Sequence, residues 1–95
     1  MNLRKLAEGK PCMVRLPGIC DHGTDTTVLA HLRAGFFGMS IKPPDLCGVW
    51  ACFHCHNEID RRTTKMDKRD VQAECLRALC QQLAWYVDNG VVKCP

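Results

Sequence analysis

No stretch of this 95-residue chain approaches a membrane span, which takes about 20 apolar residues in a row. Residues Met1 to Lys10 carry basic side chains but no long apolar run and no small-residue cleavage site. They do not read as a secretory signal. No internal repeat, low-complexity tract or interdomain linker interrupts the chain. Charge is modest too: the net value of +3 and a pI near 8.5 fall short of the balance that by itself implies nucleic acid. What remains is one small domain, residues 1–95, expected in a reducing cytoplasm.

What the chain has in excess is cysteine, eight in 95 residues. A domain this small buries a modest fraction of its surface and often needs a staple. In a reducing compartment, cysteine patterns serve metal binding more than disulfide bonding. The richest segment runs from Ala51 to Asp60 and holds Cys52, Cys55, His56 and Asp60. Just beyond it Arg61, Arg62, Lys65, Lys68 and Arg69 fall within nine residues, as a solvated linker or as a phosphate-contacting stretch.

Residues 3–8 suit a short helical turn. Cys12 to Cys20 reads as a strand, a Pro17-Gly18 turn and a return strand, with Val14, Leu16 and Ile19 as its apolar contributors. Thr26 to Leu32 is β-branched and apolar, a strand with His31 near its end. Residues 33–45 are a long loop punctuated by Gly35, Gly38, Pro43 and Pro44, a length usually kept for function. Leu46 to Ala51 fits a second strand and Phe53 to Arg62 a helix. A longer helix, capped by Asp67 or Asp70, ends near Asn89-Gly90 with Val71, Cys75, Leu79, Leu83 and Tyr86 as its apolar stripe. The tail from Val91 adds a short extended segment. The middle of the chain is thus a ββα unit.

Cys52-x-x-Cys55 at the mouth of a helix is half of a tetrahedral zinc site. Cys12 and Cys20 are the best candidates for the other half, although seven intervening residues is wider than the usual two to four. Cys47, His22 and His54 are the runners-up. The competing view makes Cys12 and Cys20 ordinary small buried residues. Cys75 fits the apolar stripe of the long helix, Cys80 falls off it, and Cys94 lies in the tail.

His31 is the candidate general base, because an imidazole titrates near neutral pH and can take a proton from water. His56 and Asp60 are four apart on a helix, share one face and can grip a hydrated divalent cation such as Mg²⁺, Mn²⁺, Ni²⁺ or Zn²⁺. Nothing in the chain supplies a covalent nucleophile with a partnered base, so direct attack by water is the simpler chemistry. Arg33, Arg61 and Arg62 are the candidates for phosphate contact, since a guanidinium holds two phosphate oxygens at once. Phe36 and Phe37 either pack on the core or stack on bases.

The ordered set of a cysteine pair, a strand ending in His31, a loop, a second strand and Cys52-Phe53-His54-Cys55-His56 with Asp60 resembles the HNH family of ββα-metal nucleases over about residues 12 to 62. The chain as a whole resembles a family of short phage- and prophage-encoded nucleases of lambdoid elements. The phrases Arg4-Lys5-Leu6-Ala7, Cys12 to Cys20, Leu29-Ala30-His31-Leu32-Arg33, Lys42-Pro43-Pro44-Asp45-Leu46 and Cys55 to Arg62 carry that likeness. The resemblance implies an α+β fold: a small zinc-stabilised HNH-like ββα-metal domain with an N-terminal β-hairpin and a long C-terminal helix at 67–90. It implies a structural zinc on Cys12, Cys20, Cys52 and Cys55, His31 as general base, and His56 with Asp60 on the catalytic metal. The nearest counterpart of the family's middle Asn is Asp45. Ala30 departs from the pattern, because many members carry a ligand just before the base.

Three readings follow. The favoured one is a metal-dependent endonuclease acting on DNA in phage recombination or replication. The second is a non-catalytic zinc module that binds nucleic acid or a phage protein. The third, a redox protein built on Cys52-x-x-Cys55, lacks the preceding βαβ pattern. Trp85 and Tyr86 on the long helix cover the ββα core or form a homodimer face, and the sequence leaves that choice open.

Overall fold

The structure is a computed structural model and describes residues 2–32 and 43–93. Its elements, in chain order, are α1 (Leu3–Ala7), β1 (Val28–His31), a 3-10 turn (Asp45–Cys47), β2 (Gly48–Ala51), α2 (Phe53–Ile59) and α3 (Lys68–Asp88). Strands β1 and β2 form an antiparallel pair, with Val28 opposite Ala51 and His31 opposite Gly48. The fold is a small α+β arrangement in which the two strands sit between short helices and one long one.

The N-terminal β-hairpin expected over Cys12–Cys20 is not formed. Arg15 and Gly18 adopt left-handed backbone angles, φ 47° and 71°. Ile19 N and Cys20 N both donate to Leu16 O, at 3.1 and 3.0 Å, closing a helix-like turn where a return strand would run. The misreading has a clear source. Val14 and Leu16 are fully buried and Ile19 partly so. An alternating buried pattern is common to a strand and to a tight turn pressed on a core.

Strand β2 is buried at every position. It starts at Gly48 rather than Leu46, because Pro44 opens a 3-10 turn in which Cys47 N donates to Pro44 O at 2.9 Å. A Cβ at Gly48 would meet Leu29 Cγ at 2.6 Å, so the close approach of β1 at this point needs glycine. The edge of β2 away from β1 is satisfied by other segments. Trp50 N donates to Gln82 Oε1 at 2.7 Å, Gln82 Nε2 donates to Gly48 O at 2.8 Å, and Met13 N donates to Trp50 O at 2.8 Å. Gln82 thus does for β2 what a third strand would do.

Helix α3 begins at an Asp67 cap, which accepts from Arg69 N at 2.8 Å. It buries Val71, Cys75, Ala78, Gln82 and Tyr86. Leu79 and Leu83, expected in the stripe, lie half-buried on its flanks. Val91 N and Val92 N return to Tyr86 O, so the tail folds back rather than running on extended. One core cluster joins Val14 and Leu16 to Val49, Cys52, Cys55 and the first half of α3. A second gathers Ala7, Leu29, Trp50 and Tyr86, with Leu3 and Leu6 of α1 packed against it.

Helix α2 stops at Ile59, short of the expected Arg62, because Arg61 turns left-handed at φ 61°. The following loop wraps the fully buried Glu58, which accepts from Thr63 Oγ1 at 2.5 Å, Met66 N at 2.8 Å and Lys65 N at 3.2 Å. Burial alone would push its carboxyl up. These bonds, with the Arg61 charge, outweigh that and hold it below the usual carboxylate range. Among the described residues, no helix is long and apolar enough to cross a membrane.

Candidate metal centre and catalytic cleft

The turn before β1 and the start of α2 bring Cys12, Cys20, Cys52 and Cys55 together, with all four Sγ atoms within 4.8 Å of one another. Cys20 Sγ and Cys52 Sγ are 3.9 Å apart. A tetrahedral zinc with Zn–S bonds near 2.3 Å spaces its sulfurs by about 3.8 Å, whereas a disulfide needs about 2.05 Å. Every cysteine among the described residues is free. The donor set is soft and closed, and suits zinc.

Backbone geometry supports the thiolates. Arg15 N donates to Cys12 Sγ at 3.4 Å and His22 N to Cys20 Sγ at 3.3 Å. Both donors sit in left-handed conformations, φ 47° and 59°, which cost about 1–3 kcal/mol each and persist only where something fixes them. A hydrogen bond from Cys55 draws the Cys12 thiol down to about 4, while the same contact and burial push Cys55 up. Burial raises Cys20 to about 11. A divalent ion binding here would displace the thiol protons. Of the runners-up, Cys47 lies on the 3-10 turn outside the cluster, and exposed His54 faces Asp21 at 3.8 Å. His22 Nδ1 comes within 3.9 Å of Cys20 Sγ. Cys75 is buried in the α3 stripe and Cys80 is exposed.

On the outer side of β1 lies a cleft of about 410 Å³, with Arg4, Glu8, Thr27, His31, His56 and Asp60 among its walls. His31 ends β1. Its Nε2 lies 2.8 Å from Asp45 Oδ1, at the head of the 3-10 turn. That bond, with the Arg4 charge, holds the Asp45 carboxyl below its ordinary value. An ionised Asp45 can only accept, so Nε2 carries the hydrogen and Nδ1 keeps the lone pair. His56 Nε2 and Asp60 Oδ2 are 3.1 Å apart across one turn of α2. Two donors on adjacent positions of one ion, each at about 2.1–2.2 Å, stand about 3.0 Å apart, so the spacing of this pair would allow it to share a cation. Ala30 adds no donor.

A family model described as "Putative nuclease YbcO" matches residues 1–85, a span that holds every residue of the cage and the cleft. The chain belongs to this YbcO family. It is 42% identical, over 97% of both chains, to "Putative nuclease YbcO" of Escherichia coli strain K12, and equally to "Putative nuclease ybcO" of Enterobacteria phage 82. A solved structure titled "Structure of a putative bacteriophage protein from Escherichia coli str. K-12 substr. MG1655" superposes with a TM-score of 0.80 at 38% identity, over 94% of this chain and 100% of that one.

The YbcO-family match also covers residues that sequence reasoning passed over. Arg4 of α1 reaches Asp45, with its Nε 3.5 Å from the same Oδ1 that meets His31. Glu8 and Thr27 join the cleft, and Thr27 Oγ1 is buried with no hydrogen-bond partner among the described residues. Only the phrase Arg4-Lys5-Leu6-Ala7 hinted that α1 mattered, and it named no chemistry. Of the three arginines expected at phosphate, Arg61 is drawn inward, with Nη1 3.2 Å from Met66 O and 3.5 Å from Glu58 Oε2. Arg62 is exposed. Arg33, like Phe36 and Phe37, lies outside the described residues.

Proposed function

We propose that this YbcO-family chain is an HNH-type, metal-dependent nuclease that hydrolyses phosphodiester bonds of nucleic acid, with DNA as its substrate. The observation that carries the reading is that His31, pinned by Asp45 through Nε2, shares one cleft with the His56–Asp60 pair. The names of its relatives point the same way, and the phage relative fits a role in phage recombination or replication inside the host cytoplasm.

In this reading Nδ1 of His31 takes a proton from a water molecule as that water's oxygen bonds to phosphorus. The bond from phosphorus to the 3′ oxygen breaks on the opposite side, and the departing oxygen is protonated from solvent. Asp45 keeps the imidazole in the tautomer whose free lone pair is Nδ1, and steadies it once it is charged. A divalent cation, Mg²⁺, Mn²⁺, Ni²⁺ or Zn²⁺, held by His56 and Asp60 would neutralise charge on the phosphate and the leaving oxygen. A structural zinc on the four cysteines would fix α2 to the turn before β1, and so fix His56 and Asp60 relative to His31. Arg62, and Arg33 beyond the described residues, would contact flanking phosphates, which positions a duplex without reading its sequence.

One observation favours the alternative of a non-catalytic zinc module binding nucleic acid or a phage protein. With Ala30 beside His31, His56 and Asp60 are the one close pair of donors in the cleft among the described residues. Plasmid cleavage separates the two. Zinc-loaded protein is given each of the four cations in turn, beside a His31→Ala protein. Metal-dependent nicking that disappears in the variant is the expected result. Intact plasmid under every metal, from folded protein, would favour the binding module.

A further inference from the structure

We propose that Arg4 of α1 holds the substrate's phosphate beside His31, with Asp45 as its partner when the cleft is empty. The proposal rests on the nuclease reading for the identity of the phosphate, a diester in a nucleic-acid strand.

Three observations carry it. First, the side chain is anchored at its root and free at its tip. Asn2 caps α1 through Arg4 N and Lys5 N, at 3.1 and 3.2 Å, Ala7 is fully buried, and Leu3 and Leu6 pack on the Trp50–Tyr86 cluster. The side chain beyond is 55% exposed, and only its Nε approaches a partner, Asp45 Oδ1, at a loose 3.5 Å. Nη1 and Nη2 have no hydrogen bond among the described residues, so the flat edge of the guanidinium is open to two oxygens at once. Second, among the described residues no other arginine or lysine lines the cleft. Glu8 and Asp60 bring negative charge to its walls, and a phosphate entering there needs a cation opposite. Third, one of the three arginines expected at phosphate is engaged elsewhere: Arg61 is held by Glu58 and Met66 O.

The position also suits the chemistry. Arg4 and His31 meet the same carboxylate oxygen, so a phosphate taken by the Arg4 fork would lie within one side chain's reach of the imidazole. Glu8, one helical turn from Arg4, would oppose that phosphate.

The test is binding of a fluorescein-labelled DNA duplex, followed by anisotropy between 50 and 200 mM salt. Zinc-loaded protein in a His31→Ala background is used, so that nothing is cleaved, with no further divalent cation. Arg4→Ala should bind about tenfold more weakly and flatten the slope of log affinity against log salt by about one. Arg4→Lys should keep most of that slope, and Glu8→Gln should bind more tightly than its parent. Thermal midpoint and zinc content, unchanged in Arg4→Ala, exclude a folding defect. In a protein with His31 intact, Arg4→Ala should lower kcat/KM at least as much as it lowers affinity.

An Arg4→Ala protein with the parent's affinity and salt slope overturns the proposal, even where cleavage by the parent upholds the nuclease reading. A slower Arg4→Ala enzyme with an unchanged slope also overturns it, and makes Arg4 a positioning residue for Asp45. A flattened slope in a protein that never cleaves upholds the phosphate contact while the nuclease reading fails. A parent that binds no DNA overturns both.

Discussion

The cysteine cage and the cleft both draw on α2, and they are held in different ways. The cage draws four like donors from two short segments, buries three of them, and ties two with backbone N–H groups. Its geometry is closed by its own chemistry. The cleft draws on α1, β1, the 3-10 turn and α2, and its groups run from nearly covered to half open: the His31 side chain is 11% exposed, Asp45 40% and Arg4 55%. Each of its side chains is placed by something outside it. Gly48 lets β1 come close to β2, Gln82 secures the free edge of β2, and Glu58 organises the end of α2. With zinc bound, a cage of this kind would be a condition of folding, whereas the cleft is a surface that folding presents.

The sharpest way to break that contrast is to open the cage. Cys55→Ser removes a fully buried ligand, and chelation of zinc-loaded protein removes the ion itself. Structural zinc binding in small domains is worth about 10–16 kcal/mol at neutral pH, more than a domain of this size has in reserve. Both treatments should abolish the cooperative thermal transition followed by circular dichroism. A Cys55→Ser protein that still melts cooperatively near the parent's midpoint would show that the cage is not what holds the fold.

The opposite change leaves the fold and removes the chemistry. His31→Ala should lower the cleavage rate by about 10²–10⁴ while the thermal midpoint moves by no more than a few degrees, because the ring lies at the rim of the core rather than in it. Matched measurements of plasmid nicking and thermal melting on one preparation check both halves. A large drop in midpoint would make His31 a packing residue and erase the distinction between the two regions.

How much of this was legible in the chain follows the same division. Cys52-x-x-Cys55 is local, so its spacing alone pointed to half of a candidate metal site. The wider pair, Cys12 and Cys20, needed the buried turn between them, whose alternating Val14 and Leu16 imitate a strand. In the cleft, His31, His56 and Asp60 were readable as residue types on expected elements, and Asp45 only through resemblance. Arg4 was not readable at all, since its approach to Asp45 joins segments far apart in sequence. Gln82 was missed for another reason. A polar residue on a long helix is ordinarily a solvated one, and only the open edge of β2 gives it something to bind.

Glu58 tests the link between the two regions. Its carboxylate is fully buried and organises residues 61–66, which follow the turn carrying His56 and Asp60. Glu58→Ala should cost about 3 kcal/mol, because it strips a buried charged acceptor from several part-buried donors. Its folded-state pKa lies below the ordinary 4.5. The stability it contributes is therefore fully present above pH 4.5 and is lost as pH falls through the folded value. Urea unfolding of wild type and Glu58→Gln from pH 7 down to pH 4 should show a gap that is constant at first and begins to close near the acid end. A gap that widened toward acid would mean the carboxyl is buried protonated, contrary to its hydrogen bonds.

The smallest expected effect is the most informative about the cleft. Asp45→Asn removes a charge but keeps an oxygen that can accept. An amide at this place can turn either way. With its nitrogen toward Nε2 it would donate, force the hydrogen to Nδ1, and cost the reaction as much as removing the base, about 10⁴-fold where a triad carboxylate is changed in this manner. Two groups face this position, however: Nε2–H of His31 meets the oxygen at 2.8 Å, and the charged Nε of Arg4 stands 3.5 Å from it as an ion pair. Both favour the orientation that keeps the amide oxygen in place, which preserves the tautomer with Nδ1 free. Asp45→Asn should therefore lose only about tenfold in rate, Asp45→Ala more, and neither should move the thermal midpoint by more than a few degrees, since the side chain is 40% exposed. Combining Asp45→Asn with Arg4→Ala removes one of the two groups that fix the amide. If Arg4 sets its orientation, the double variant should fall well below the product of the two single losses. Single-turnover rates for the four proteins measure that coupling directly, and strict additivity would mean that Asp45 serves His31 without help from α1.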